Sequence, residues 1–100
     1  TADVAADGDA LALGAPWPNP APEGTSVLLT LARPAAVSFE VTDLAGRIVW
    51  SEPRDVRSAG ATRLAWNGRD GDGARVTPGL YFLRVAVDGR ASVRRVSVLR

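Results

Sequence analysis

The chain has 100 residues, about one domain, and its 46% hydrophobic and 23% charged residues are the balance of a chain that folds in water. Twelve basic against eleven acidic side chains leave a formal charge of +1, so we do not expect nucleic acid or an anionic membrane as a partner. Since the chain contains neither Cys nor His, we expect no enzyme, no cofactor and no metal site.

The N-terminal residues 1–9 (TADVAADGD) are small and acidic and follow no period, which is typical of a linker. We interpret them as the connection to an upstream domain, and residues 10–100 as a single β-domain. Since the chain opens on Thr1 rather than Met, we expect it to be a piece of a longer protein. No apolar run approaches the ~20 residues that a transmembrane helix needs, so we expect no transmembrane segment.

Prolines stand at every second position of residues 16–22, which we call the proline segment. Each proline lacks an N–H donor and biases the residue before it toward extended geometry. Such a segment can form neither a helix nor a central strand. We therefore predict that it is extended and lies at a sheet edge.

Alternating apolar and polar residues predict short strands along the rest of the chain. These strands start near residues 10, 25, 36, 47, 62, 79 and 90. The longest apolar run, residues 79–87, is the predicted central strand, and residues 52–60 are predicted to be a polar loop. Seven strands at this spacing, without a helical period, predict an all-β fold, an immunoglobulin-like antiparallel β-sandwich.

The last predicted strand contains valines in two different phases. Val93 is out of phase by one residue with Val96 and Val98. An extra residue near Arg94 and Arg95 would keep all three valines inward, so we predict a β-bulge there. Arginines on such a strand usually lie on its solvated face and discourage edge pairing.

Two glycine-containing segments predict turns. Gly46 can supply a positive φ in the turn that begins at Asp43, and Asp88-Gly89 is the two-residue signal of a type I′ hairpin. For each turn, we therefore predict that the strand before it pairs with the strand after it.

The sequence Asp70-Gly71-Asp72-Gly73 is similar to the core of a calcium loop, in which alternate carboxylates point at the cation. The bidentate Glu that completes such a loop is missing downstream. A glycine-rich connection between strands explains the same residues, and we favour that interpretation.

The aromatic residues divide into two groups by their phase. Phe39, Trp66 and Tyr81 are in phase with the inward positions of their strands, so we predict that they lie in the core. Trp17 and Trp50 are less constrained, and a role in binding a sugar stays open for them.

Several short motifs follow one another along residues 10–100. They are Pro18-Asn19-Pro20, Asp43 with Gly46 and Arg47, residues 66–70 (WNGRD), Gly79 with Tyr81, and the final residues 96–100 (VSVLR). Their order and spacing resemble the C-terminal sorting domain of type IX secretion substrates in Bacteroidetes-like bacteria. The chain is similar also to the immunoglobulin-like domain of the flagellar hook-capping protein. It departs from the sorting-domain pattern at Trp17, at Ala21 and at Arg94-Arg95, where Tyr, Phe and Lys are usual.

This resemblance implies a non-catalytic signal domain that directs a secreted cargo through the outer membrane to the cell surface. The implied partners are the outer-membrane translocon, a surface protease that removes the signal, and a covalently linked upstream cargo; the implied location is the periplasm in transit, then the cell surface or the medium. The residues to which it assigns translocon recognition are Pro18, Asn19, Pro20, Asp43, Gly46, Arg47, Gly79, Tyr81, Arg94, Arg95, Val96, Val98, Leu99 and Arg100.

Two other functions stay open. A carbohydrate-binding module appended to a polysaccharide hydrolase would need exposed aromatic residues in a row. A structural spacer would place no constraint on the last residues. For a sorting domain, by contrast, we expect the last strand to offer its edge to a partner sheet.

Overall fold

The computed structural model describes residues 11–99, so the predicted linker of residues 1–9 and the predicted recognition residue Arg100 lie outside the described residues. Seven β-strands form within this range: β1 (Leu11–Leu13), β2 (Thr25–Leu31), β3 (Ala35–Asp43), β4 (Ile48–Arg57), β5 (Gly60–Trp66), β6 (Gly79–Val87) and β7 (Arg90–Val98). Each begins within two residues of its predicted start.

The strands form two antiparallel sheets. One has three strands in the order β1-β2-β5, and the other has four strands in the order β4-β3-β6-β7. The all-β fold with seven strands is confirmed, and β6 is internal, as its long apolar run predicts. The described part of the chain contains no helix with the length and apolarity that crossing a membrane requires.

The inner faces of the two sheets form one hydrophobic core. Phe39 and Trp66 are each 1% exposed, and Tyr81 is also buried, so the prediction that these aromatic rings lie in the core is confirmed. The rings of Trp66 and Tyr81 lie with their centroids 5.5 Å apart. The indole Nε1 of Trp66 donates to the carbonyl oxygen of Arg69 at 2.8 Å, which satisfies the polar atom of a buried side chain.

The predicted loop of residues 52–60 is wrong in its extent. Strand β4 runs on to Arg57, whose partner on β3 is Ala35. Since β4 is an edge strand, it tolerates the charged side chains and Pro53 that made the sequence look like a loop. Two register shifts against β3 bend it.

The predicted β-bulge in β7 is also wrong. All nine residues of β7 pair with β6 in unbroken register. Instead of moving inward, Val93 stays 48% exposed, and Arg94 takes the inward phase that Val96 and Val98 share. The valine pattern was misleading because Arg94 lies at the side of the sandwich, where an inward position also accommodates a long polar side chain.

The predicted hairpin at Asp88-Gly89 is confirmed. Asp88 and Gly89 have φ values of 50° and 86°, which are the two positive values that a type I′ turn requires. The Oδ1 atom of Asp88 accepts a hydrogen bond from the backbone N–H of Ala36 at 3.2 Å. The hairpin is thereby tied to β3.

Candidate recognition site

The proline segment crosses from the three-stranded sheet to the edge of β7. Trp17 exchanges backbone hydrogen bonds with Ser26 of β2, at 2.9 and 3.1 Å. Four residues later, Ala21 pairs in parallel with the end of β7: its N–H donates to the Ser97 oxygen at 2.7 Å, and its oxygen accepts from the N–H of Leu99 at 2.9 Å. The segment is extended and lies at an edge, as predicted.

The side chain of Asn19 pairs with β7 in the way that a backbone amide would. Its Nδ2 donates to the Arg95 oxygen at 3.2 Å, and its Oδ1 accepts from the N–H of Ser97 at 3.1 Å. An amide side chain has one acceptor and a donor group in the geometry of a peptide group. Asn19 and Ala21 together cover the outer edge of residues 95–99.

The expectation that the end of the last strand offers an open edge is therefore wrong. Its outward backbone groups already have partners, and Val96 and Val98 are 0% exposed in the core. The sequence did not reveal this because Asn19 lies 78 residues before Ser97, and no local pattern records a contact at that separation.

The two adjacent arginines of β7 have different environments. Arg94 points inward at the side of the sandwich, where its Nη2 donates to the Leu13 oxygen of β1 at 2.9 Å and so ties the two sheets together. Arg95 is exposed on the outer face, opposite Phe82 of β6. The expectation of a solvated side chain fits Arg95 but not Arg94.

The motif residues of three strands meet in one row. Asp43 of β3 is paired with Tyr81 of β6, and Tyr81 is paired with Val96 of β7. One step further along, Gly79 is paired with Val98, beside Ala21. The structure thus gathers at one end of the four-stranded sheet the motif residues that the sequence scatters along the chain.

The Asp43 turn is held by its own side chain. The Oδ1 of Asp43 accepts from the N–H groups of Ala45 and Arg47, both at 2.9 Å, and its Oδ2 accepts from the Arg47 Nε at 3.1 Å. The hydrogen bond from the Arg47 N–H, more than any other contact, lowers the pKa of the Asp43 carboxyl below its usual 3.8, with the Arg47 side chain adding to the effect. Gly46 takes a φ of 89°, which its position in the turn requires.

The loop that is similar to a calcium site repeats this geometry. The Oδ1 of Asp70 accepts from the N–H groups of Asp72 at 2.9 Å and Ala74 at 3.0 Å, and Gly73 has a φ of 88°. Asp70 is thus engaged in forming the same turn as Asp43, and among residues 11–99 no group of three acidic side chains is placed to hold a metal. The repeat is visible in the sequence as the shared spacing D-x-x-G of Asp43 with Gly46 and Asp70 with Gly73.

Tyr81 acts through both its ring and its hydroxyl. The ring lies in the core, and the hydroxyl donates to the Thr77 oxygen at 2.6 Å. This bond fixes the loop that leads into β6. Beside it, a shallow depression of about 330 Å³ is lined by the apolar side chains of Leu44, Pro78 and Leu80 and by the polar Asp43 and Thr77.

The two remaining tryptophans have separate positions. Trp50 packs edge-on against Phe39, with ring centroids 5.5 Å apart, and is partly buried. Trp17 is 74% exposed. Among the described residues, the tryptophans therefore form no row of exposed rings of the kind that polysaccharide binding uses.

Comparison with known proteins links this chain to one family and to several solved structures. The family model described as the FlgD Ig-like domain matches residues 20–90. A structure of PorZ from Porphyromonas gingivalis, an essential bacterial surface component of the type IX secretion system, is 27% identical over 96% of this chain, with a TM-score of 0.58. Dimeric latent PorU from the same organism is 18% identical over 90% of this chain, with a TM-score of 0.69, and shows likeness of fold alone. This chain spans 12% and 9% of those two chains, and no curated protein matches it.

Proposed function

The chain belongs to the FlgD Ig-like domain family, and from this premise we propose that it is a non-catalytic sorting domain for type IX secretion. In this role it directs an attached cargo protein through the outer membrane to the cell surface or the medium. Its partners are the outer-membrane translocon and a surface protease that separates the domain from its cargo.

The observation that carries this proposal is the likeness to PorZ. The match reaches 27% identity over nearly the whole of this chain, and PorZ is described as a surface component of the type IX secretion system. The immunoglobulin-like fold alone would not support the proposal, because such sandwiches serve many unrelated functions.

The geometry supports recognition of a folded surface rather than of an open strand. The edge of residues 95–99 is covered, so a translocon would contact the side chains that project from the end of the sheet. The exposed side chains at this end include Leu44 and Leu99, which are 73% and 55% exposed, together with Arg95 on the outer face. An apolar patch beside a cation is a common composition for a protein-binding surface.

A secretion assay tests this role. Residues 1–100, fused behind a reporter that carries an inner-membrane export signal, should place the reporter outside the outer membrane of a host with a type IX system. The double variant Leu44→Ser with Leu99→Ser should reduce this export while its melting temperature stays near that of the parent, since both side chains are exposed. The matched control is Leu28→Ser, an exposed leucine on the other sheet. A reporter that stays in the periplasm with the unmodified domain overturns the proposal.

Sugar binding through one exposed ring, that of Trp17, is the second candidate. It predicts that the domain sediments with an insoluble polysaccharide and that Trp17→Ala abolishes this retention. Retention that Trp17→Ala leaves unchanged, or no retention at all, contradicts it.

A further inference from the structure

Two of the four sheet edges, and the C-terminal part of a third, are protected against pairing with another chain. Strand β1 has only three residues. Strand β4 contains Pro53 and two register shifts, and its Val49 oxygen accepts from the N–H of Gly71 at 2.9 Å. On β7, Asn19 and Ala21 cover the edge of residues 95–99. Closer to the start of this strand, the Val93 oxygen accepts from the Arg94 Nη1 at 3.0 Å. These are the devices by which proteins keep sheet edges from pairing.

The edge of β5 has none of these protections. Its seven residues pair with β2 in unbroken register, from Thr25 with Trp66 to Leu31 with Gly60. The strand contains no proline. Within residues 11–99 it forms a ladder with β2 alone. It is therefore a regularly paired strand of seven residues whose other side has no partner strand in the described part of the chain.

The backbone groups on that open side follow from the pairing of β2. Ser26 and Leu28 hydrogen-bond toward the β1 side, to Trp17 and Gly14. Because successive residues of a strand bond to opposite sides, Val27 and Leu29 bond toward β5. The backbone N–H and C=O groups of their partners Leu64 and Thr62 are therefore already hydrogen-bonded to β2. The N–H and C=O groups that point outward belong to the alternate residues Ala61, Arg63 and Ala65.

We propose that the open edge of β5 binds an extended strand of another protein that carries a carboxylate opposite Arg63. A second copy of this chain is disfavoured, since Arg63 is the midpoint of β5 and a symmetric antiparallel pair would place Arg63 against Arg63. The Arg63 guanidinium donates through Nη1 to the Ser26 Oγ of β2 at 3.2 Å, and its other N–H groups are left to meet a carboxylate on the added strand. The small side chains of Ala61 and Ala65 leave room on either side of it. This site is separate from the row at Asp43, and the inference does not depend on the role in export.

The inward side of the added strand also has a defined chemistry. In β5 the side chains of Thr62 and Leu64 point toward the core, while those of Ala61, Arg63 and Ala65 are exposed. Residues that face each other across an antiparallel pair lie on the same side of the sheet. The fitting partner strand therefore alternates apolar residues, which continue the core, with polar residues around a central Asp or Glu.

The probe is a capped seven-residue peptide with valine at its inward positions, threonine at its outward positions and glutamate at its centre. On binding, amide hydrogen exchange at Ala61, Arg63 and Ala65 should slow at least about tenfold, because these amides then exchange only when the new ladder opens. The amides of Thr62 and Leu64, already bonded to β2, should change little. A second peptide with lysine at the centre should bind about tenfold more weakly.

Two variants separate the edge and the charge from the fold. Arg63→Glu should reverse the preference between the glutamate and lysine peptides, whereas the matched control Arg54→Glu on β4 should leave it unchanged. Ala65→Pro removes one outward N–H without touching the β2 ladder and should abolish binding of both peptides while the melting transition is retained. Equal affinity for the two peptides, protection at Ala91 and Val93 instead, no binding, or a dimer of the chain through β5 would each overturn the proposal.

Discussion

The two halves of β7 lie in one unbroken strand, yet different contacts hold them. In the C-terminal half, Val96 and Val98 are fully buried, and the proline segment covers the edge through Asn19 and Ala21. In the N-terminal half, Val93 is nearly half exposed, and the side chain of Arg94 makes the hydrogen bond to the three-stranded sheet. The contrast indicates that the motif residues of the last strand first serve to close the sandwich, so a recognition role has to be separated from stability by experiment.

A buried charge should give the largest difference in the free energy of unfolding between the two halves of β7. Val96→Asp buries a carboxylate without a partner and should lower the free energy of unfolding by about 4 kcal/mol or more, a large part of a small domain's ~5–15 kcal/mol. Val93→Asp should cost about 0.5 kcal/mol or less, since that side chain reaches water. Urea denaturation of both variants measures the difference. Similar losses would show that the halves are equally packed.

Removing the cover of the edge should have an intermediate effect. Asn19→Ala deletes two hydrogen bonds at an exposed site and should cost about 1 kcal/mol, since water replaces part of what is lost. Asn19→Asp keeps the acceptor for Ser97 but sets a carboxylate oxygen against the Arg95 carbonyl oxygen, so it should not restore the lost stability. Hydrogen exchange at Ser97 and Leu99 should accelerate in Asn19→Ala, while exchange at Val93 stays as it was. Unchanged exchange at Ser97 would mean that the amide does not protect the edge.

Truncating Arg94 and Arg95 should change the free energy of unfolding by amounts that differ less. Arg94→Ala removes the bond to Leu13 and the packing of its aliphatic stem, and should lower stability by about 1 kcal/mol. Arg95→Ala should fall within about 0.5 kcal/mol of the parent. In the secretion assay, a loss of export in Arg95→Ala at unchanged stability would assign recognition to the outer face. A loss that appears only in Arg94→Ala would trace to stability.

The smallest effect on stability should come from lowering the pH, through the carboxyl of Asp43. This residue lies in the same row as Tyr81 and Val96. The pKa of Asp43 is lowered in the folded state, so its contribution to stability is present above the unfolded value of about 4 and is lost as the pH falls through the folded value. Asp43→Asn should remove this part of the acid sensitivity. Thermal unfolding of both proteins between pH about 2 and 6 measures it. An identical pH dependence in parent and variant would contradict the prediction.

Local patterns in the sequence predicted the strands because period-2 alternation reports directly which face of a strand is buried. Phe39, Trp66 and the Asp88-Gly89 hairpin follow from such patterns. The same reasoning failed at β4 and Arg94, because an edge strand needs no apolar alternation and an inward position at the side of a sandwich accepts a long polar side chain.

The sequence by itself determined the all-β class, the central strand, the buried aromatic residues and the family likeness, since each depends on residue type and short spacing. Only the tertiary structure decided which edges are open. The cover on β7 depends on Asn19 and Ala21, which lie far from it in the chain, and the exposure of β5 depends on which strands lie beside it. An edge is a property of strand order, and strand order is set by packing two sheets together, which no local pattern encodes.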